Sequence, residues 1–117
     1  MKKKKKGEAA EEKAVSYLKD SGYEILDRNF YTRYGELDII AKDGDTLVII
    51  EVRSKSNKIF GLPEESITKK KIEKILKTTE IYLYEKKPDY TEIRFDIISI
   101  LNNNISHIKN AFNMDNL

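Results

Sequence analysis

The sequence predicts an α/β protein, a mixed β-sheet flanked by α-helices, and three observations carry that prediction. The chain opens on an amphipathic helical pattern. An unbroken apolar run, Leu47-Val48-Ile49-Ile50, lies between turn signals at strand spacing. A second, longer helical pattern then separates this run from two more strand-like segments. A strand apolar on both faces must be central and covered from both sides, which requires helices on either face of the sheet. At 117 residues the chain has the length of one domain, and I- and L-rich segments within its 39% hydrophobic fraction supply a modest core.

Met1 and the run Lys2 to Lys6 have nothing to bury, so residues 1–6 are expected to form a disordered basic arm and residues 7–117 a single domain. From Gly7 to Ser21, Ala10, Ala14, Tyr17, Leu18 and Ser21 recur at helical spacing, and Gly22 ends the helix. Tyr23 to Asn29 reads as a first strand and Glu36 to Ala41 as a second. Lys42-Asp43-Gly44-Asp45 follows, a strong hairpin signal, because Asp and Gly both tolerate positive φ. Thr46 to Arg53 is the third, central strand, and Ser54 to Pro63 a polar loop.

A long helix is expected from about Glu64 to Lys87, with Ile72, Ile75, Leu76, Thr79, Tyr82 and Leu83 on one face and Pro88 as its stop. Glu92 to Leu101 is a fourth strand, Asn102-Asn103-Asn104 a turn, and Ile105 to Phe112 a last strand or edge segment. The predicted order is α-β-β-β-α-β-β.

Composition narrows the chemistry. Without cysteine there is no disulfide framework, thiolate zinc site or catalytic thiol, and the one histidine, His107, cannot build a histidine-rich centre. A metal would have to be held by carboxylates and carbonyls, which favours Mg²⁺ or Mn²⁺. No apolar run approaches the roughly 18 residues of a membrane span, and the N-terminal lysines are not followed by the apolar stretch of a signal peptide. A cytoplasmic location is expected. The net charge of +2 does not announce nucleic-acid binding, but the lysines at 2–6 and 69–71 are clustered enough to face phosphates.

Strand parity brings the chemistry-bearing residues together. If Asp43-Gly44 is the turn, Asp38 lies diagonal to Glu51. If Gly44-Asp45 is the turn, Asp38 lies directly opposite Glu51. Both registers put Asp38, Glu51 and Arg53 on one face, with the two carboxylates roughly 5–8 Å apart, whereas a three-residue turn would put Glu51 on the other face and break the site. Two anions so close repel, unless they stand at solvated strand ends, are neutralised by Arg53, or share a cation. Glu11 borders the buried stripe of the first helix and Lys71 that of the long helix. Taken alone, the first also suits a half-exposed helix acid and the second a snorkelling lysine.

Gly7-x-x-Ala10-Glu11, Tyr17-Leu18, Gly22-Tyr23 and Asn29-Phe30-Tyr31 precede Gly35-Glu36-Leu37-Asp38-Ile39-Ile40. These segments, with Val48-Ile49-Ile50-Glu51-Val52-Arg53, Phe60-Gly61, Lys71, Tyr82-Leu83 and Arg94-Phe95-Asp96, resemble the YraN family of small bacterial proteins. That family is assigned to the PD-(D/E)XK, restriction-endonuclease-like superfamily, and the resemblance covers residues 7–112. It implies a fold close to that of archaeal Holliday-junction resolvases. It further implies Mg²⁺ ligation by Asp38, Glu51 and the Val52 carbonyl, with Glu11, Arg53 and Lys71 completing a catalytic set. Leu37 stands where the motif has proline, Ala10 where it has glycine, and Arg53 where it has lysine. The last departure matters, because arginine stays charged and cannot serve as a base. Lys55, on the same face if the strand continues, could supply an amine.

The expected function is Mg²⁺- or Mn²⁺-dependent cleavage of DNA, with branched or flapped DNA as candidate substrates. Lys55, Lys69 and Lys70 would grip the backbone. The alternatives are a non-catalytic nucleic-acid-binding module on a nuclease fold and a protein-interaction domain. Phe112, Met114 and Leu117 are compatible with a homodimer.

Overall fold

The computed structural model describes residues 6–55 and 67–113. The elements are α1 (Lys6–Asp20), β1 (Glu24–Thr32), β2 (Gly35–Asp43), β3 (Thr46–Lys55), α2 (Lys69–Lys86), β4 (Glu92–Leu101) and β5 (Asn104–Phe112). Their order is the predicted one. The five strands form one mixed sheet in sequence order, β1-β2-β3-β4-β5. Only β3 and β4 run parallel. A parallel pair needs a long crossover, and α2 lies within it.

β3 is central, and its apolar run alternates between two cores. Val48 and Ile50 pack with Ala14, Val15 and Leu18 of α1, whereas Leu47 and Ile49 pack with Ile75 and Tyr82 of α2. All four strand residues are 1% exposed or less, which accounts for an apolar run without polar interruption. The two helices therefore cover opposite faces of the sheet.

Several boundaries differ from expectation. Lys6, expected in the arm, begins α1, and residues 1–5 lie outside the described residues. Ser54 and Lys55, expected in a loop, continue β3 by pairing with Ile100 and Leu101 of β4; residues 56–63 of that loop are outside the described ones. The second helix starts at Lys69 rather than near Glu64. Thr68 has extended backbone, and its hydroxyl accepts from the Lys71 N–H at 3.1 Å, the capping geometry that sets a helix start. Glu64 to Ser66 fall outside the described residues. Lys87, in the left-handed region at φ 46, closes α2 ahead of Pro88.

β1 also runs on past Asn29 to Thr32. Asn29 itself is left-handed, at φ 54, a conformation its short polar side chain tolerates. Here β1 and its neighbour β2 both turn over. Leu37 joins the α2-side core while Ile39 joins the α1-side core, although strict alternation would keep residues two apart on one side. On β1, Arg28 reaches α1 and Phe30 packs on the α2 side. The turnover is centred on Asn29 and Asp38, and it positions the site. Among the described residues no helix is long and apolar enough to cross a membrane.

Candidate metal centre

The β2–β3 hairpin resolves the register. Asp43 pairs with Thr46, so Gly44 and Asp45 form the turn, with Gly44 at φ 64; the Asp43-Gly44 alternative is not adopted. Continued from the Ile39–Ile50 pair, this register sets Asp38 opposite Glu51. Regular pairing stops there, and the Val52 N–H donates to Asp38 Oδ2 at 2.9 Å. A side chain thus takes up a β3 backbone donor at the point where β2 turns over. Glu51 and Arg53 follow the β3 alternation to the α2 side, whereas Asp38 stands at the turnover. The expected single face for all three is corrected in that respect. The two carboxylates nonetheless act on one another, since the Asp38 charge helps to raise Glu51.

Two further carboxylates converge on Asp38 from the α1 side. Glu11, 8% exposed, accepts from Asn29 Nδ2 at 3.1 Å and from Arg28 at 3.5 Å. The left-handed Asn29 presents that amide, and Arg28 also holds Glu12 at 3.0 Å. Glu36, two residues before Asp38, is the second. Glu11, Glu36 and Asp38 each offer an oxygen, all within 4.8 Å of one another. Glu36 is the residue that sequence reasoning missed. The available signal was its place in the same strand as Asp38, beside a turn.

The cations are sparse and loosely engaged. Arg53 approaches Glu51 Oε1 only to 3.7 Å, and its buried Nε has no hydrogen-bond partner among the described residues. Arg28 Nε is in the same state. Lys71, half-buried on the first turn of α2, lies close enough to act electrostatically on Glu36, Asp38 and Glu51. Lys69 and Lys70 are exposed on the same turn, and Lys55 is half-buried on the Arg53 side of β3. Val52 is tied to Asp38 through its N–H.

Protonation reflects this imbalance. Burial, reinforced by Asp38, pushes Glu51 up to about 8, and Lys71 and Arg53 only partly offset it. Burial likewise raises Asp38 against the opposing Val52 N–H and the two cations. Glu11 and Glu36 are raised by burial and then by the Asp38 charge. Glu51 Oε2 is buried without a hydrogen-bond partner among the described residues, in a side chain 2% exposed. An orphaned, nearly enclosed carboxylate oxygen, in a side chain that feels the Asp38 charge, suits a hard divalent cation, which prefers an all-oxygen donor set; Asp38 in turn stands with Glu11 and Glu36, a group that does not include Glu51.

A second polar group is satisfied within the protein. Asp96 on β4 is fully buried and accepts from Arg94 Nε at 2.9 Å, Arg94 Nη2 at 3.0 Å and the Asn110 N–H at 2.9 Å. His107 Nε2 lies 2.7 Å from it, and His107 Nδ1 is 3.0 Å from the Tyr17 hydroxyl. Arg94 also donates to Tyr23 at 2.8 Å.

Relatives share nearly this whole length. A protein of Persephonella marina is 58% identical over 110 residues, covering 94% of this chain and 95% of its own. One from a Sulfurihydrogenibium species is 43% identical over 115 residues, with 98% and 100% covered. One from Thermodesulfovibrio yellowstonii is 45% identical over 106 residues, with 91% and 94% covered. All three carry the name UPF0102 protein. The family model described as "Uncharacterised protein family UPF0102" matches residues 10–100, a span that holds Glu11, Glu36, Asp38, Glu51, Arg53 and Lys71. The chain belongs to the UPF0102 family.

Proposed function

We propose that this protein is a divalent-metal-dependent nuclease of the PD-(D/E)XK type, hydrolysing phosphodiester bonds in DNA. The observation that carries the reading is the orphaned Glu51 Oε2 on the strand beside Asp38, a buried acceptor without a donor among the described residues. Asp38 and Glu51 would hold Mg²⁺ or Mn²⁺ together with the Val52 carbonyl, and Glu11 flanks them from α1. Such an ion, when bound, lowers the pKa of a water and shields phosphate charge.

The chain's own residues do the rest. Arg53, loosely engaged by Glu51, stays charged and steadies the negative charge that develops on a phosphate. Lys71 acts through its charge on Glu36, Asp38 and Glu51 and would stand in for the lysine missing at position 53. Lys55, Lys69 and Lys70 grip the backbone. The first turn of α2 carries three lysines and no acid, against the sense of the helix dipole. A phosphate bound there relieves that conflict.

The test combines Mn²⁺ binding with cleavage of linear, flapped and four-way DNA. Wild type should bind Mn²⁺ and cut, while Asp38→Ala and Glu51→Ala should do neither. Absence of cleavage, or equal cleavage by the variants, overturns the reading. Arg53 in a lysine position favours one alternative, a non-catalytic nucleic-acid-binding module. That module would bind DNA without turnover, through chelation and in the carboxylate variants alike.

A further inference from the structure

The tip of the β1–β2 hairpin borders the carboxylate cluster and has a composition of its own. Tyr31 is 69% exposed. A single exposed tyrosine is ordinary; its position here is not. It pairs across the hairpin with Glu36, whose charge is the largest influence on its hydroxyl. The ring thus stands where the Glu36, Glu11 and Asp38 charges all reach it, while most of its surface stays open.

Three residues on, Tyr34 carries two cations. The Arg33 guanidinium sits 5.1 Å from its ring centroid and Lys77 Nζ 5.0 Å. The tip is braced. The Tyr34 N–H donates to Thr32 Oγ1 at 3.1 Å, Thr32 Oγ1 donates to the Gly35 carbonyl at 3.3 Å, and the Thr32 and Thr78 hydroxyls lie 3.4 Å apart. Aromatic rings interleaved with cations on a rigid support suit a strand that offers a base face and a phosphate at each step.

We propose that this tip binds an unpaired nucleotide, the base stacking on Tyr31 while Arg33 and Lys77 take the phosphates of the same strand. The preferred substrate is then a single-stranded segment or the edge of one. In a duplex, neighbouring base pairs cover the base faces, so stacking on Tyr31 requires a base already out of the stack. Stacking tolerates any base, so no sequence preference follows. An apolar protein partner fits worse, because covering Tyr31 would also desolvate the carboxylates beside it. The inference rests on the nuclease reading for what happens to the strand, but not for the stacking itself.

The experiment measures fluorescence anisotropy of labelled oligothymidylate and of a blunt duplex of equal length, with the full chain in Ca²⁺. Wild type should bind the single strand more tightly. Tyr31→Ala should weaken that binding about five- to a hundredfold with little effect on the duplex, and Tyr31→Phe should retain it. Equal affinity for the two DNAs, or an unchanged Tyr31→Ala, overturns the proposal. So does a Tyr31→Phe that behaves like Tyr31→Ala, since the effect would then run through the hydroxyl and Glu36. A Mn²⁺ titration of the same proteins separates the two readings. Failure of stacking leaves Mn²⁺ binding and cleavage intact, whereas a wild type that binds no Mn²⁺ or does not cut overturns the nuclease reading and leaves the stacking result standing.

Discussion

Asp96 and Glu51 are neighbours in the sheet with opposite fates. In the β3–β4 register Ile50 pairs with Asp96 and Glu51 with Ile97, so the two acids stand one step apart on opposite sides of the sheet. Both are essentially buried, at 0% and 1% exposure. Asp96 meets a guanidinium, an imidazole and a backbone N–H. Glu51 meets another carboxylate and an arginine at 3.7 Å. Burial pushes both upward, but for Asp96 the donors, led by His107 and Arg94, outweigh it and the carboxyl ends below its ordinary value. For Glu51, Lys71 and Arg53 do not outweigh it. Burial does not separate a structural acid from a functional one; the supply of donors does.

The largest effect should follow from breaking the satisfied acid. Asp96→Ala strands Arg94 and His107, and losing one partner of a buried charged network costs about 3–5 kcal/mol. Urea unfolding should show a midpoint lowered accordingly. An unchanged midpoint would void the contrast between the two acids.

The unsatisfied acid should respond in the opposite sense. Glu51→Gln removes an ionisation that the fold opposes, so at pH 8 and without metal the variant should be more stable than wild type by about 1–3 kcal/mol. It should also lose Mn²⁺ binding. A destabilised Glu51→Gln would mean that the carboxylate is structural after all.

The same imbalance fixes the pH dependence. The folded protein keeps the Glu51 proton up to about 8, whereas the unfolded chain releases it near the ordinary 4.5. Between those values the folded state binds more protons, so its stability falls as pH rises. Thermal melts without metal should show this decline, and Glu51→Gln should flatten it. Saturating Mn²⁺ should reverse it, since the ion binds the deprotonated site.

The contrast also explains what could be read without a structure. The Leu47–Ile50 run fixes β3 at the centre, and the hairpin signal brings Asp38 to Glu51 under either register. The turnover at Asp38 is not legible, because it depends on the left-handed backbone of Asn29, which a sequence permits without requiring. Glu36 joins the cluster through that same irregularity. The Asp96 network is hidden differently. A charge inside the apolar stretch Phe95 to Leu101 signals that partners exist, and Arg94 is close at hand. His107 arrives only through the pairing of β4 with β5.

The smallest effect should come from Lys71, the cluster's counterpart to Arg94. Arg94 is bonded directly to its acid, so Arg94→Met should cost nearly as much stability as Asp96→Ala. Lys71 acts on Glu36, Asp38 and Glu51 through its field, from a half-buried position that solvent partly screens. Lys71→Met should therefore change the unfolding free energy by only about 0.5 kcal/mol. Its effect on Mn²⁺ should depend on pH. Above pH 8 Glu51 has lost its proton, and removing a nearby positive charge should tighten Mn²⁺ a few-fold, about 1 kcal/mol or less. At pH 6 the same loss raises the carboxyls further, so protons compete better and the gain should vanish. Isothermal titration at the two pH values reads the crossover. A purely structural lysine would shift stability and leave Mn²⁺ affinity alone at both.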